Sequence, residues 1–202
     1  MYPKVKICGM TDAETIQTAI QHKVDYLGFV FYKKSPRNLT INQAKQLTKN
    51  IPTNVKRVAV LVNESDEFIE QIKNSFDYFQ LHGDEDLKRI KEIKEKFNKK
   101  IIKAIKITDE KSAKTFSTFE EQVDMLLLDS PAMEKTAKFD WQILTKLKIT
   151  KPYLVAGSIN INNVDEILKY NPSGIDISAG VESSPGIKSN EKIIEFLDKV
   201  KS

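Results

Sequence analysis

Two hydrophobic periods alternate along the chain. The first period-two run, Lys4-Val5-Lys6-Ile7-Cys8, puts Val5 and Ile7 on one face of a strand and Lys4, Lys6 and Cys8 on the other. It stops at Gly9. Ala13, Ile16, Ala19 and Ile20 then recur at helical spacing, behind a Thr11/Glu14 pair spaced as a capping box. Strand-like runs return at Tyr26 to Phe31, Arg57 to Val62, Tyr78 to His82, Ile101 to Ile105, Met125 to Asp129, Tyr153 to Ala156 and Ile175 to Ser178, which makes eight with the first. Between them lie amphipathic segments: Ile41/Ala44/Leu47, Phe68/Ile69/Ile72/Phe76, Leu87/Ile90/Ile93/Phe97, Ala113/Phe116, Ile143/Leu144/Leu147, Val164/Ile167/Leu168 and Ile193/Ile194/Leu197/Val200. Thr40, Ser65, Asp84, Thr108, Asp140, Asn160 and Asn190 stand before them as expected caps, joining Thr11.

Repetition of strand, loop and helix predicts an α/β fold with a parallel sheet. Eight such units in 202 residues predict a single (β/α)8 TIM barrel, a compact parallel eight-stranded core spanning residues 1–202 as one catalytic domain. The alternative is an open doubly wound sheet, which usually carries a Gly-x-Gly-x-x-Gly turn after its first strand; here Gly9 is followed by no glycine until Gly28. Of seven glycines, Gly9, Gly83, Gly157 and Gly180 directly follow strands, where the chain turns sharply or approaches a ligand. Three connections on that side are long, Tyr32 to Leu39, Ser130 to Phe139 and Ala179 to Ser189, and in a barrel they build the active-site face.

Composition narrows the function. Thirty-two basic and 28 acidic residues leave a net charge of +4, with lysines spread along helical faces beside glutamates, so neither a nucleic-acid footprint nor a membrane-binding helix is expected. No apolar run approaches the ~20 residues of a spanning helix, which predicts a soluble cytoplasmic protein. One cysteine and two histidines, His22 and His82, predict no disulfide and no metal site built on cysteine or histidine.

Polar residues close the strands: Cys8, Asn63, Gln80, His82, Asp129, Ser158 and Ser178. A thiol at the end of strand one and a carboxyl at the end of strand six are suited to face each other across a substrate as base and acid. Each also has a plainer reading, as a buried cysteine and as a turn aspartate. The amino end of the first helix favours the Cys8 thiolate. Ala156-Gly157-Ser158-Ile159-Asn160 and Ser178-Ala179-Gly180-Val181 follow strands seven and eight, the position of phosphate sites in such barrels, so the backbone at Gly157, Ser158, Ala179 and Gly180 is a candidate anion cradle. Arg37, behind Pro36, is a candidate clamp for a carboxylate, whereas Lys33 and Lys34 read as solvated charges. His82 reads as a rim residue that orients substrate or moves a proton. Lys6 and Asp176 share the inward face of adjacent strands and predict a buried structural pair, with a Schiff-base lysine as the lesser alternative. Trp141 reads as core packing.

Taken together, Lys6-Ile7-Cys8-Gly9, Gly28-Phe29-Val30-Phe31-Tyr32, Lys34-Ser35-Pro36-Arg37, Val60-Leu61-Val62-Asn63, Gln80-Leu81-His82-Gly83, Leu127-Leu128-Asp129, Lys138-Phe139-Asp140-Trp141 and Asp176-Ile177-Ser178-Ala179-Gly180-Val181-Glu182-Ser183-Ser184-Pro185-Gly186 resemble the phosphoribosylanthranilate isomerase family in order and spacing. The resemblance implies a cofactor-free Amadori rearrangement of N-(5-phosphoribosyl)anthranilate in tryptophan biosynthesis. It also implies Asp129 as general acid, Cys8 as general base, Arg37 on the anthranilate carboxylate, and a monomer or weak homodimer. Three departures stand out: the stretch Ser130 to Ala137 lacks glycine, Ala156 replaces one of a usual glycine pair, and Ser189 stands where an aspartate is common. Another phosphate-binding barrel isomerase or epimerase, or a non-catalytic barrel, are the competing readings.

Overall fold

The computed structural model describes residues 2–129 and 141–202. Eight parallel strands, β1 (Lys4–Cys8), β2 (Tyr26–Phe31), β3 (Lys56–Leu61), β4 (Tyr78–Leu81), β5 (Lys100–Lys106), β6 (Met125–Asp129), β7 (Tyr153–Ala156) and β8 (Gly174–Ile177), close into a barrel in chain order. Closure is made by β1 against β8, where Lys6 stands beside Asp176 and Ile7 beside Ile177. The covering helices are α1 (Ala13–Gln21), α2 (Ile41–Thr48), α3 (Asp66–Ile72), α4 (Leu87–Phe97), α5 (Glu110–Ala113), α6 (Phe116–Phe119), α7 (Val164–Leu168) and α8 (Asn190–Lys201). A short hairpin of β9 (Glu182–Ser184) and β10 (Ile187–Lys188) sits in the long connection after β8. No helix among the described residues is long and apolar enough to cross a membrane.

The alternation read in the sequence divides the core in two. Outward residues such as Val5, Ile7, Phe29, Phe79 and Leu126 pack under the helices. Inside the barrel, Tyr26, Val58, Tyr78, Ile102, Met125, Leu127, Leu154 and Ala156 form a separate apolar plug, with the Tyr26 and Tyr78 rings edge to face at 5.8 Å. Above that plug, the inward polar groups Cys8, Gln80, Asp129 and Asp176 meet in a cavity at the carboxyl end of the strands.

Local punctuation departs from expectation in several places. Thr40 and Ser65 cap their helices as expected, Thr40 with a full capping box to Gln43. The other caps shift by one to three residues, toward the helix except at α8. Asp12 rather than Thr11 accepts from Thr15 N, Asp86 rather than Asp84 from Arg89 N, Asp109 rather than Thr108 from Ser112 N, and Ser189 rather than Asn190 from Lys192 N. A cap must reach the N–H two or three residues on, so wherever polar residues cluster, the one at that offset takes the role. Asn163, not Asn160, occupies the cap position of α7, and its side chain accepts from Asn160 N instead of from the helix. The helix expected over Ile143, Leu144 and Leu147 is a run of 3₁₀ turns over Trp141–Lys146, which still buries Trp141, Ile143 and Leu144. Asp140 and the loop Ser130 to Phe139 lie outside the described residues.

Candidate active site

All eight residues singled out from the sequence, Cys8, Arg37, His82, Asp129, Gly157, Ser158, Ala179 and Gly180, line one cavity of about 390 Å³ at the barrel mouth. Its walls are Val30, Val60, Leu127 and Ile159, an apolar sleeve suited to a flat ring.

Cys8 and Asp129 end β1 and β6. Burial pushes the Cys8 thiol up, against the pull of the Lys6 ammonium. Asp129 Oδ2 lies 3.2 Å from His82 Nε2, and His82 Nδ1 is 3.0 Å from Gln80 Nε2. With the Gln80 amide nitrogen toward Nδ1, that ring atom accepts and Nε2 carries the proton that faces Asp129. His82 therefore abuts the candidate acid as well as the cavity.

The turn after β7 places Gly157 at φ 105° and Ser158 at φ 50°, two consecutive left-handed residues. The N–H groups of Gly157 and Ser158 enter none of the turn, loop or cap backbone bonds of the described residues. Ala179 and Gly180 open the 3₁₀ turn Ala179–Val181, whose first N–H groups have no partner within it. A Cβ on Gly180 would stand 2.1 Å from Ile159 O, so only glycine lets these two turns meet and present their N–H groups to one anion.

Arg37 is not a free clamp. Its Nε and Nη2 donate to Glu182 Oε1 and Oε2 at 2.6 and 2.7 Å, and Ser35 Oγ accepts from its backbone N–H. Glu182 also accepts from Lys188 Nζ at 2.8 Å, and the pull of Arg37 and Lys188 overcomes burial to hold its carboxyl down at about 2. Two of the guanidinium's five donors are thus committed along one edge, and the edge formed by Nη1 and the remaining Nη2 hydrogen is left for a second carboxylate.

Glu182 stands in the Asp176-to-Gly186 stretch quoted above, two residues past Gly180, but sequence reasoning gave it no role. Its depressed carboxyl gives a test. Stability from Glu182 is fully present above the unfolded carboxyl value of about 4.3 and is lost as pH falls toward about 2. Glu182→Gln is therefore expected to lose less stability than wild type between those values in urea titrations. At neutral pH it should raise KM roughly tenfold, about 1.4 kcal/mol, by releasing Arg37. An unchanged KM removes Glu182 from a positioning role.

The fold and the polar cavity at its mouth put the chain among (β/α)8-barrel enzymes. A family model described as N-(5'-phosphoribosyl)anthranilate (PRA) isomerase matches residues 5–199. N-(5'-phosphoribosyl)anthranilate isomerase of Petrotoga mobilis is 37% identical over 206 residues, covering 98% of this chain and 97% of its own length. That of Bradyrhizobium diazoefficiens is 34% identical over 203 residues, covering 96% and 91%. Among solved structures, phosphoribosyl anthranilate isomerase from Thermotoga maritima matches with a TM-score of 0.90 at 31% identity over 98% of both chains. A phosphoribosyl anthranilate isomerase in complex with reduced 1-(o-carboxyphenylamino)-1-deoxyribulose 5-phosphate matches at 0.88, also 31% identical. The chain belongs to the N-(5'-phosphoribosyl)anthranilate isomerase family, the aldose–ketose isomerases of tryptophan biosynthesis.

Proposed function

We propose that this chain, as one catalytic domain, converts N-(5'-phosphoribosyl)anthranilate to 1-(2-carboxyphenylamino)-1-deoxyribulose 5-phosphate with Asp129 as general acid and Cys8 as general base. The observation that carries this reading is the convergence of both groups with Arg37 and the two phosphate-type turns on one cavity. The phosphate is held by backbone N–H groups at Gly157, Ser158, Ala179 and Gly180. The anthranilate carboxylate takes the open edge of Arg37, and its ring lies along the apolar wall. The ribose is left between Cys8 and Asp129.

Asp129, in its acid form, gives its proton to the furanose oxygen. The C1'–O bond breaks, and the anthranilate nitrogen lone pair forms the iminium. That positive nitrogen acidifies the C2' proton, which the Cys8 thiolate removes, and the C–H electrons flow back to nitrogen to give the enolamine. Protonation at C1' and loss of the enol proton give the ketone. His82 orients Asp129 through Nε2. No step calls for a cofactor. The dimeric phosphoribosylanthranilate isomerase of Thermotoga maritima, which has also been solved as generated monomers, supports a monomer or weak homodimer, and the biosynthetic role supports a cytoplasmic location.

The test follows loss of phosphoribosylanthranilate fluorescence with the purified chain. Turnover at a kcat in the usual enzymatic range of roughly 1–10³ s⁻¹ is expected. Absence of turnover by folded protein ends the assignment. Consumption of a pentose phosphate in its place would favour the epimerase reading.

A further inference from the structure

Lys6 is wholly buried inside the barrel, one strand position below the candidate base, and the reaction as derived leaves it without a task. Its Nζ donates to Asp176 Oδ2 at 2.8 Å, the pair expected from the alternation of β1 and β8. That contact uses one of three donors. The Cys8 thiol stands in the field of the same ammonium, and the charge of each favours the ionised form of the other. Gly28, which pairs with Cys8 in the β1–β2 ladder, shows how close the two groups are: a Cβ there would lie 3.0 Å from Cys8 Sγ and 3.1 Å from Lys6 Nζ. Sulfur and ammonium share the space that the missing side chain leaves.

Two features separate this from an ordinary buried ion pair. Asp176 Oδ1 is buried with no hydrogen-bond partner, although a pair selected for stability satisfies both oxygens. The other cations facing Cys8 are already committed. Lys188 Nζ donates to Glu182 and to Ser178, and Arg37 is bidentate on Glu182. Among the described residues, the charged groups that act on the thiol are Lys6, Asp176, Lys188 and Arg37, and of the three cations Lys6 is the one that stands with the sulfur against Gly28 while holding a single carboxylate.

We propose that Lys6 is a positioning residue for the Cys8 thiolate: its ammonium holds the negative sulfur in place for proton abstraction, and Asp176 competes for the same ammonium. The proposal rests on the reading of Cys8 as the base. Burial and Asp176 work against the thiolate while Lys6 works for it, the direction of each influence following from its charge.

A purely structural pair and a thiolate support differ in sign. Cys8 is the only cysteine, so thiolate ultraviolet absorbance and the pH dependence of iodoacetamide alkylation report on it alone. Both are measured on the full chain without substrate, so failure of this titration and failure of the turnover assay are separate results. Lys6→Met is expected to move the thiol midpoint up by about one pH unit or more, a tenfold loss of thiolate at pH below the midpoint. Asp176→Asn is expected to move it down. Movement of both midpoints in the same direction, or of neither, overturns the proposal. If Lys6→Met does not fold, the neutral pair Lys6→Met/Asp176→Asn decides against Asp176→Asn alone: its midpoint must lie higher by about one pH unit, and equal midpoints overturn the proposal.

Discussion

Asp129→Asn is expected to lower kcat by roughly 10²- to 10⁴-fold, the span that a positioned general acid ordinarily contributes, with KM changed little. The carboxamide keeps the shape of the carboxyl and can still meet His82 Nε2, but it has no proton to give the furanose oxygen. Part-exposure of the side chain means that no buried charge is stranded, and the backbone bond from Ile107 N to Asp129 O at 2.8 Å is untouched. Thermal unfolding should therefore match wild type, and a loss of activity can be assigned to chemistry. His82 gives the internal control. His82→Gln should cost roughly tenfold, and the double variant should be no slower than Asp129→Asn, because a residue that acts through the acid has nothing left to orient. Steady-state fluorescence kinetics on the three variants check this. Activity of Asp129→Asn within about threefold of wild type would falsify the acid assignment, since that is far below the contribution of general acid catalysis.

How much of this was legible in the sequence divides along physical lines. The barrel was legible because each strand is a short local signal, and eight of them with helical stripes between leave few architectures. The strand ends were legible for the same reason: alternation from Val5 to Cys8 or from Met125 to Asp129 fixes which residues face the lumen, and the end of the run fixes their height. Phosphate-type turns announced themselves through Gly157 and Gly180. Contacts made across the mouth were not legible. Arg37 and Glu182 lie 145 residues apart on loops whose course no periodicity predicts. His82 directly follows β4 and Asp129 ends β6, with β5 between them, so their 3.2 Å approach depends on barrel curvature and side-chain length. Cap positions failed by one to three residues because several acceptors stood close together, as at Asp84 and Asp86, and only the backbone trace selects among them. The balance of influences on the Cys8 thiol was not legible for a related reason. A helix end can be read from sequence, whereas the depth of burial depends on every group around the mouth.

Cys8→Ser is expected to reduce kcat by a comparable roughly 10²- to 10⁴-fold, and here the pH dependence carries most of the argument. Serine fits the site and can accept from Lys6, but its hydroxyl holds its proton far more tightly than a thiol, so no base is available at C2'. In wild type, burial pushes the thiol up and Lys6 opposes it, so kcat should rise with pH as the thiolate forms. That limb should vanish in Cys8→Ser, and a substrate carrying deuterium at C2' should show a larger rate effect in the variant, where proton removal limits turnover. Stability should move with the opposite sign. A thiol raised in the folded state contributes stability that is fully present below the unfolded value of about 8.5 and is lost as pH rises through its folded value. Wild type should therefore lose more stability than Cys8→Ser in urea titrations on the alkaline side of about 8.5. A rising kcat limb retained by the serine variant would assign that ionisation to another group and remove Cys8 as the base, whereas loss of the limb together with a flatter alkaline stability curve ties both effects to the one thiol.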